Sequence, residues 1–117
     1  VFMGTFVGGG LVLSGHLVPG QRGNAGAIGS MPMGLAGQAG PAQLLELASG
    51  WQLERQLQVA GHNPLLVHED QILDEALKPW VDPWLDQASN ALAHTITSAT
   101  AFGLDSSGVS IRSRSVR

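Results

Sequence analysis

The sequence predicts an α/β chain in which a β-hairpin and helices pack on a sheet. Three observations predict it. Two apolar, β-rich runs flank Gly8, Gly9 and Gly10 near the start. A long stripe at helical spacing runs through residues 80–102. A short run, "GVSI", follows that stripe as a closing strand. Strand signals followed by helical periods and a further strand describe helices layered on a sheet.

The first run, "VFMGTFV", is rich in strand formers, and "LVL" at residues 11–13 is the second. With the glycines between them they read as two antiparallel strands around a glycine turn, and Ser14-Gly15 marks a further turn. Residues 15–40 are dense in glycine and punctuated by Pro19, Pro32 and Pro41, which disfavours long helices. "AIGSMPM" holds one short strand ended by Pro32. Pro41 suits a first helical position, where its missing N–H has no partner to lose. Leu44, Leu47, Ala48 and Trp51 then share one helical face, while Leu53, Leu57 and Ala60 share nearly the opposite one. The helix is therefore covered on two sides or bends near Gly50, and Gly61 with Asn63-Pro64 ends it. Residues 69–77 read as a short acidic helix.

In the last helical segment Trp80, Val81, Trp84, Leu85, Ala88, Leu92, Ile96 and Ala99 form a stripe about 160° wide. Asp82, Asp86, Asn90 and Thr97 fall opposite. Pro79 and Pro83 fit its first turn, Asp82 offers an alternative N-cap, and Gly103 ends it. Trp51, Trp80 and Trp84 lie on helical stripes, a placement that suits core packing better than stacking on a sugar ring.

Composition narrows the function classes. The chain has 117 residues, a net charge of −3 and no cysteine. Nothing basic enough for nucleic-acid binding stands out, disulfides and cysteine-ligated zinc are excluded, and a cytoplasmic home fits. No apolar run reaches the roughly 18 residues that span a bilayer. "VSIRSRSVR" at the end packs three arginines and three serines into nine residues. That bias divides the chain into residues 1–111 and an atypical polar, basic tail, 112–117. With an opening in mid-strand and no initial methionine, the chain reads as a fragment.

The segment "GTFVGGGLVLSGHLVPGQRGNAGAIGSMP" resembles the signature of the ROK family of sugar-responsive repressors and sugar kinases. Gly4, Thr5, Gly8, Gly9, Gly10, Gly15, Gly20, Gly23, Ala25, Gly26, Ile28, Gly29 and Met31 all fall in register with it. "LASGWQLERQL" and the long helix continue the resemblance more weakly, to about Val109. It implies most of the C-terminal lobe of an actin-like (ribonuclease H-like) ATPase fold.

The resemblance also implies a site. In the family's kinases the glycine turn lies close to nucleotide phosphates, which here would be Thr5, Gly8, Gly9 and Gly10, since bare backbone N–H groups approach an anion readily. Phe6 replaces a family glycine in that turn, and a plain turn between strands is the competing reading. Gln21, Arg22 and Asn24 are candidate contacts to a sugar ligand, with Arg22 replacing the family's asparagine. The sugar-binding glutamate of the family falls on Ala27 and its sugar- and zinc-binding histidine on Ser30. The family's cysteines are missing before Leu45, and the second glutamate aligns with Leu45 beside Glu46. No structural zinc is expected, because a tetrahedral site needs ligands this stretch lacks. The kinases' catalytic aspartate and first phosphate loop are not in the chain, so no catalytic residue is assigned, and ATP with magnesium enters only on a kinase reading.

Four histidines remain. His16 follows a strand, His62 and His68 flank a loop, and His94 lies on the polar side of the long helix. All read as solvated, as do Asp70, Asp74 and Glu75. Three functional readings result. The first is the non-catalytic, sugar-sensing effector lobe of a ROK-type regulator, which would meet DNA only through a helix-turn-helix not present here. The second is a fragment of a ROK sugar kinase. The third is a structural, self-associating chain, because helix stripes left bare would favour a homo-oligomer.

Overall fold

The computed structural model describes residues 1–34, 42–100 and 112–113. In order, these carry β1 (Phe2–Met3), β2 (Leu11–Leu13), β3 (His16–Val18), β4 (Pro32–Met33), β5 (Ala42–Gln43), α1 (Leu44–Ala48), α2 (Gly50–Val59), α3 (Lys78–Thr100) and β6 (Arg112–Ser113). The result is a mixed α/β chain. Among the described residues the strands form three separate pairs and no layered sheet. β2 and β3 are antiparallel, as are β4 and β5, while β1 runs parallel to β6.

The hairpin is not where the glycine run suggested. β2 turns back at Ser14-Gly15 into β3, with Leu11 opposite Val18 and Leu13 opposite His16. Ser14 and Gly15 both have positive φ, 51° and 78°. That is the two-residue turn whose twist matches the strands it joins. His16 therefore lies in a strand. β1 does not pair with β2; its Phe2 exchanges both backbone hydrogen bonds with Gly8, at 2.8 and 2.9 Å. The intervening residues 3–7 form a tight turn closed upon β1.

Four further expectations change. "AIGSMPM" is not one strand: Ile28–Ser30 form a 3₁₀ turn, and Pro32–Met33 begin a strand after it. Residues 64–77 hold three 3₁₀ turns, Pro64–His68, Asp70–Leu73 and Glu75–Leu77, in place of an acidic helix. Each restarts after a residue in extended conformation, namely Asn63, Glu69 and Asp74. In α3 the helix starts at Lys78, so Pro83 lies inside it beyond the first turn. The helix expected to start at Pro41 starts at Leu44, because Ala42–Gln43 pair as a strand and Gln43, in extended conformation, caps it. The expected strand at residues 108–111 and the stop at Gly103 lie outside the described residues.

The bend near Gly50 is a full break. Ser49 is extended, with φ −83° and ψ 143°, and separates α1 from α2. The break lets the two apolar faces serve different cores. Leu44, Leu47 and Ala48 of α1 pack with Val7, Met33, Ala88, Ala91 and Leu92. Leu53 and Leu57 of α2 pack with Leu77. Trp84 touches both clusters, and Trp80 joins the second, as core placement requires. Trp84 also donates its indole N–H to the Ser49 carbonyl, at 3.2 Å, which meets an acceptor that the helix break releases.

The α3 stripe is rotated from the sequence reading. Ala88, Ala91, Leu92 and Thr95 are buried, whereas Leu85 is 52% exposed. Thr95 tolerates burial because its hydroxyl donates to the Ala91 carbonyl at 3.0 Å. Among the described residues no helix is long and apolar enough to cross a membrane.

Candidate functional site

Residues 4–7 form a turn seated on the start of α2. The Gly50 N–H donates to the Gly4 carbonyl at 2.9 Å, and the Trp51 N–H donates to the Thr5 carbonyl at 3.0 Å. Both would otherwise be open donors of a helix terminus. The Val7 N–H donates to the Ser49 hydroxyl at 2.8 Å, and both residues are buried. A Cβ on Gly50 would lie 2.7 Å from the Gly4 carbonyl oxygen, so glycine is what lets helix and turn meet. Replacing Ser49 with Ala is expected to leave the Val7 N–H buried without this acceptor, at a cost of about 1–3 kcal/mol in chemical denaturation. A loss within the scatter of exposed substitutions would contradict that anchoring.

One side chain reaches the same turn. The Thr5 hydroxyl donates to Glu54 Oε1 at 3.3 Å. His68 Nε2 lies 2.6 Å from the same oxygen. The His68 and Glu54 side chains are 13% and 23% exposed. This overturns the reading of His68 as a solvated loop residue: the turn Pro64–His68 folds it back onto α2. No local pattern announces the contact, since Thr5 and Glu54 are 49 residues apart. In the sequence Glu54 is one charge on a helix, with nothing in its spacing to single it out. His16 and His94 are exposed, whereas His62 sets its ring edge-on to Trp80 with centroids 5.0 Å apart. The Trp51 indole N–H is enclosed and has no acceptor among the described residues.

The glycine run continues from this turn. The Gly8 N–H is taken by the Phe2 carbonyl. A Cβ on Gly9 would meet Ile28 and the Gly26 carbonyl at 3.0–3.1 Å. Gly26, with φ +83°, has its Cα hydrogens against Gly10 and Leu11, at 2.8–2.9 Å from a would-be Cβ. Gly29 likewise backs onto the Val7 carbonyl. The glycine run and the following loop, distant enough in sequence to look separate, are thus one packed unit.

The loop's own turns depend on positive φ at Gly20, Gly23 and Gly26. Backbone bonds from Gly23 to Gly20, Ala25 to Pro19 and Ala27 to Asn24 close it. Gln21, Arg22, Asn24, Ala27 and Ser30 are all exposed on it. Phe6, at the tip of the neighbouring turn, is 59% exposed. Leu45, where the family's second glutamate would stand, is partly buried against the first core, while Glu46 accepts from the Gln43 N–H at 2.8 Å and so serves the start of α1. Among the described residues no three histidine, aspartate or glutamate side chains gather as a metal site would need.

No protein-family model matches the chain. Over 56 residues it is 43% identical to proteins named bifunctional enzyme NanE/NanK from Brucella melitensis biotype 1 and Brucella suis biovar 1. The match covers 48% of this chain and 10% of each relative, so the chain spans a small part of the curated proteins it matches. Over that stretch the chain is a distant, partial relative of a ROK-family, NanK-type sugar kinase.

Proposed function

We propose that the chain is a sugar-sensing, non-catalytic lobe of ROK type, part of the C-terminal lobe of an actin-like ATPase fold. Its ligand face is the unit made by the turn at Thr5, the glycines 8–10 and the loop 20–31. The observation that carries this reading is the seat of Gly26 on Gly10 and Leu11, which holds two separated stretches of the family-like motif together. Gln21, Arg22 and Asn24 then supply exposed amide and guanidinium groups for sugar hydroxyls. Ala27 and Ser30 leave the face without the acidic and imidazole groups of the kinase pattern. A sensor tolerates this, because it needs only a difference in affinity between two conformations. In a regulator the DNA contact would come from a helix-turn-helix outside this chain.

A second reading is a segment of a sugar kinase using ATP and magnesium, and the observation behind it is the 43% identity over 56 residues to the bifunctional NanE/NanK enzymes. Thermal denaturation of the chain with hexoses, N-acetyl sugars and ATP with Mg²⁺ separates the two. The sensor reading expects stabilisation by one sugar class, about 2.7 kcal/mol at a hundredfold excess over Kd, and none by ATP. Stabilisation by ATP would move the assignment to the kinase. Silence toward every sugar, with concentration-dependent self-association through the exposed Val12, Leu13 and Leu17 of the hairpin, would leave a structural role.

A further inference from the structure

We propose that Glu54 makes the Thr5 turn reject anions and accept hydrogen-bond donors, so that it determines specificity in favour of neutral polyols. The inference rests on the reading that this turn belongs to the ligand face, and names a residue to which the family resemblance assigns no role.

A threonine hydroxyl has one proton and two lone pairs. In this turn the proton points at Glu54 Oε1, 3.3 Å away. What Thr5 offers outward is therefore its lone pairs. A phosphate oxygen has nothing to gain there, whereas a sugar hydroxyl can donate. The carboxylate adds a second obstacle. An ionised glutamate only accepts, so the His68 Nε2 that lies 2.6 Å from the same oxygen must carry a proton and donate it. The Glu54 carboxylate thus lies next to the turn, within hydrogen-bond reach of the Thr5 hydroxyl. The glutamate is 23% exposed, which leaves its field only partly screened.

The backbone points the same way. The N–H groups of Gly50 and Trp51 at the start of α2 are taken by the Gly4 and Thr5 carbonyls. The Gly8 N–H is taken by Phe2. One donor of the glycine run is thus turned to internal use, and Phe6 stands at the tip. Glu54, 49 residues from Thr5, converts a turn of phosphate-binding type into one that presents an acceptor beside a carboxylate.

The test uses the whole chain and inorganic phosphate as probe, with amide chemical shifts of Thr5 and Gly8–Gly10 as readout. In the wild type, phosphate is expected to leave these amides unmoved. Glu54→Gln keeps the side chain's shape and removes the charge. It is expected to raise the affinity of the turn for phosphate at least about tenfold, the factor a dianion near one carboxylate implies in water-like screening. Thr5→Val removes the hydroxyl but keeps the charge, and is expected to gain no phosphate binding. Phosphate shifts at these glycines in the wild type would overturn the proposal, and that measurement stands even if Glu54→Gln folds poorly. Equal phosphate affinity in the wild type and Glu54→Gln would overturn it too, as would a gain in Thr5→Val, which would point to loosening of the turn in place of charge. The sugar-sensing reading fails separately, on the absence of any sugar response in the wild type.

Discussion

Gly26→Ala is expected to unseat the loop 20–31 and to destabilise the chain by about 2–5 kcal/mol. Two costs add. Gly26 has φ +83°, where a side chain is strained by about 1–2 kcal/mol. Its new Cβ would also lie 2.8 Å from the Cα and carbonyl carbon of Gly10 and 2.9 Å from the Leu11 nitrogen. Those are backbone atoms, which cannot rotate aside, so overpacking of about 1–3 kcal/mol follows. Gly15→Ala separates the terms. Gly15 has φ 78° in the hairpin turn, yet nothing lies within 4 Å of its would-be Cβ, so only the strain remains. Urea denaturation of both variants is the measurement. Equal losses would mean that Gly26 is needed only for its φ, and that the close seat of the loop on Gly10 contributes nothing. Because that seat joins the two halves of the proposed ligand face, loss of sugar response should accompany the loss of stability in Gly26→Ala and not in Gly15→Ala.

What could be read from the chain before its structure follows the range of the interactions involved. The longer helices were legible because a 3.6-residue period is local, and the switch from Leu44, Leu47 and Ala48 to Leu53 and Leu57 on the opposite face allowed either a helix covered on two sides or the break found at Ser49. Core placement of Trp80 and Trp84 followed from the same period. The hairpin was half legible. Ser14-Gly15 was recognised as a turn, but the three-glycine run drew the pairing away from it, although those glycines serve chain-to-chain contact with Gly26. The long-helix stripe includes Leu85 although that residue is exposed, since small Ala91 and polar Thr95 carry too little hydrophobicity to mark the true face. The acidic stretch at 69–77 has enough helix formers to suggest α-helix, yet extended Glu69 and Asp74 divide it into 3₁₀ turns. The Thr5, Glu54 and His68 contact was illegible altogether. It joins three segments that meet only after α2 docks against the turn, and no spacing in the sequence encodes such a meeting.

The second large effect is expected at Leu44. Leu44→Ala should cost about 2–5 kcal/mol, in the range of buried leucine truncations that leave a cavity. Leu44 is fully buried in the first core, and its N–H donates to the Met31 carbonyl at 3.0 Å. It therefore joins the end of the loop 20–31 to α1, and α1 to α3. Leu57 offers the matched comparison: it is equally buried, in the second core with Leu53 and Leu77. The two truncations remove the same atoms, so similar losses of global stability are expected from both. Their local consequences should differ. A cavity beside Leu44 loosens the support of Met31 and Met33, and amide hydrogen exchange should quicken across residues 25–33 well beyond the global change. A cavity beside Leu57 lies under the turns at 64–77, and exchange should quicken there and spare the loop. For a chain of this size each kilocalorie is worth roughly 4–8 °C in Tm, so both variants need comparison at a temperature where each is folded. Uniform acceleration in both variants would mean that the two clusters open as one cooperative unit, with Trp84 coupling them too strongly for either core to govern the loop alone.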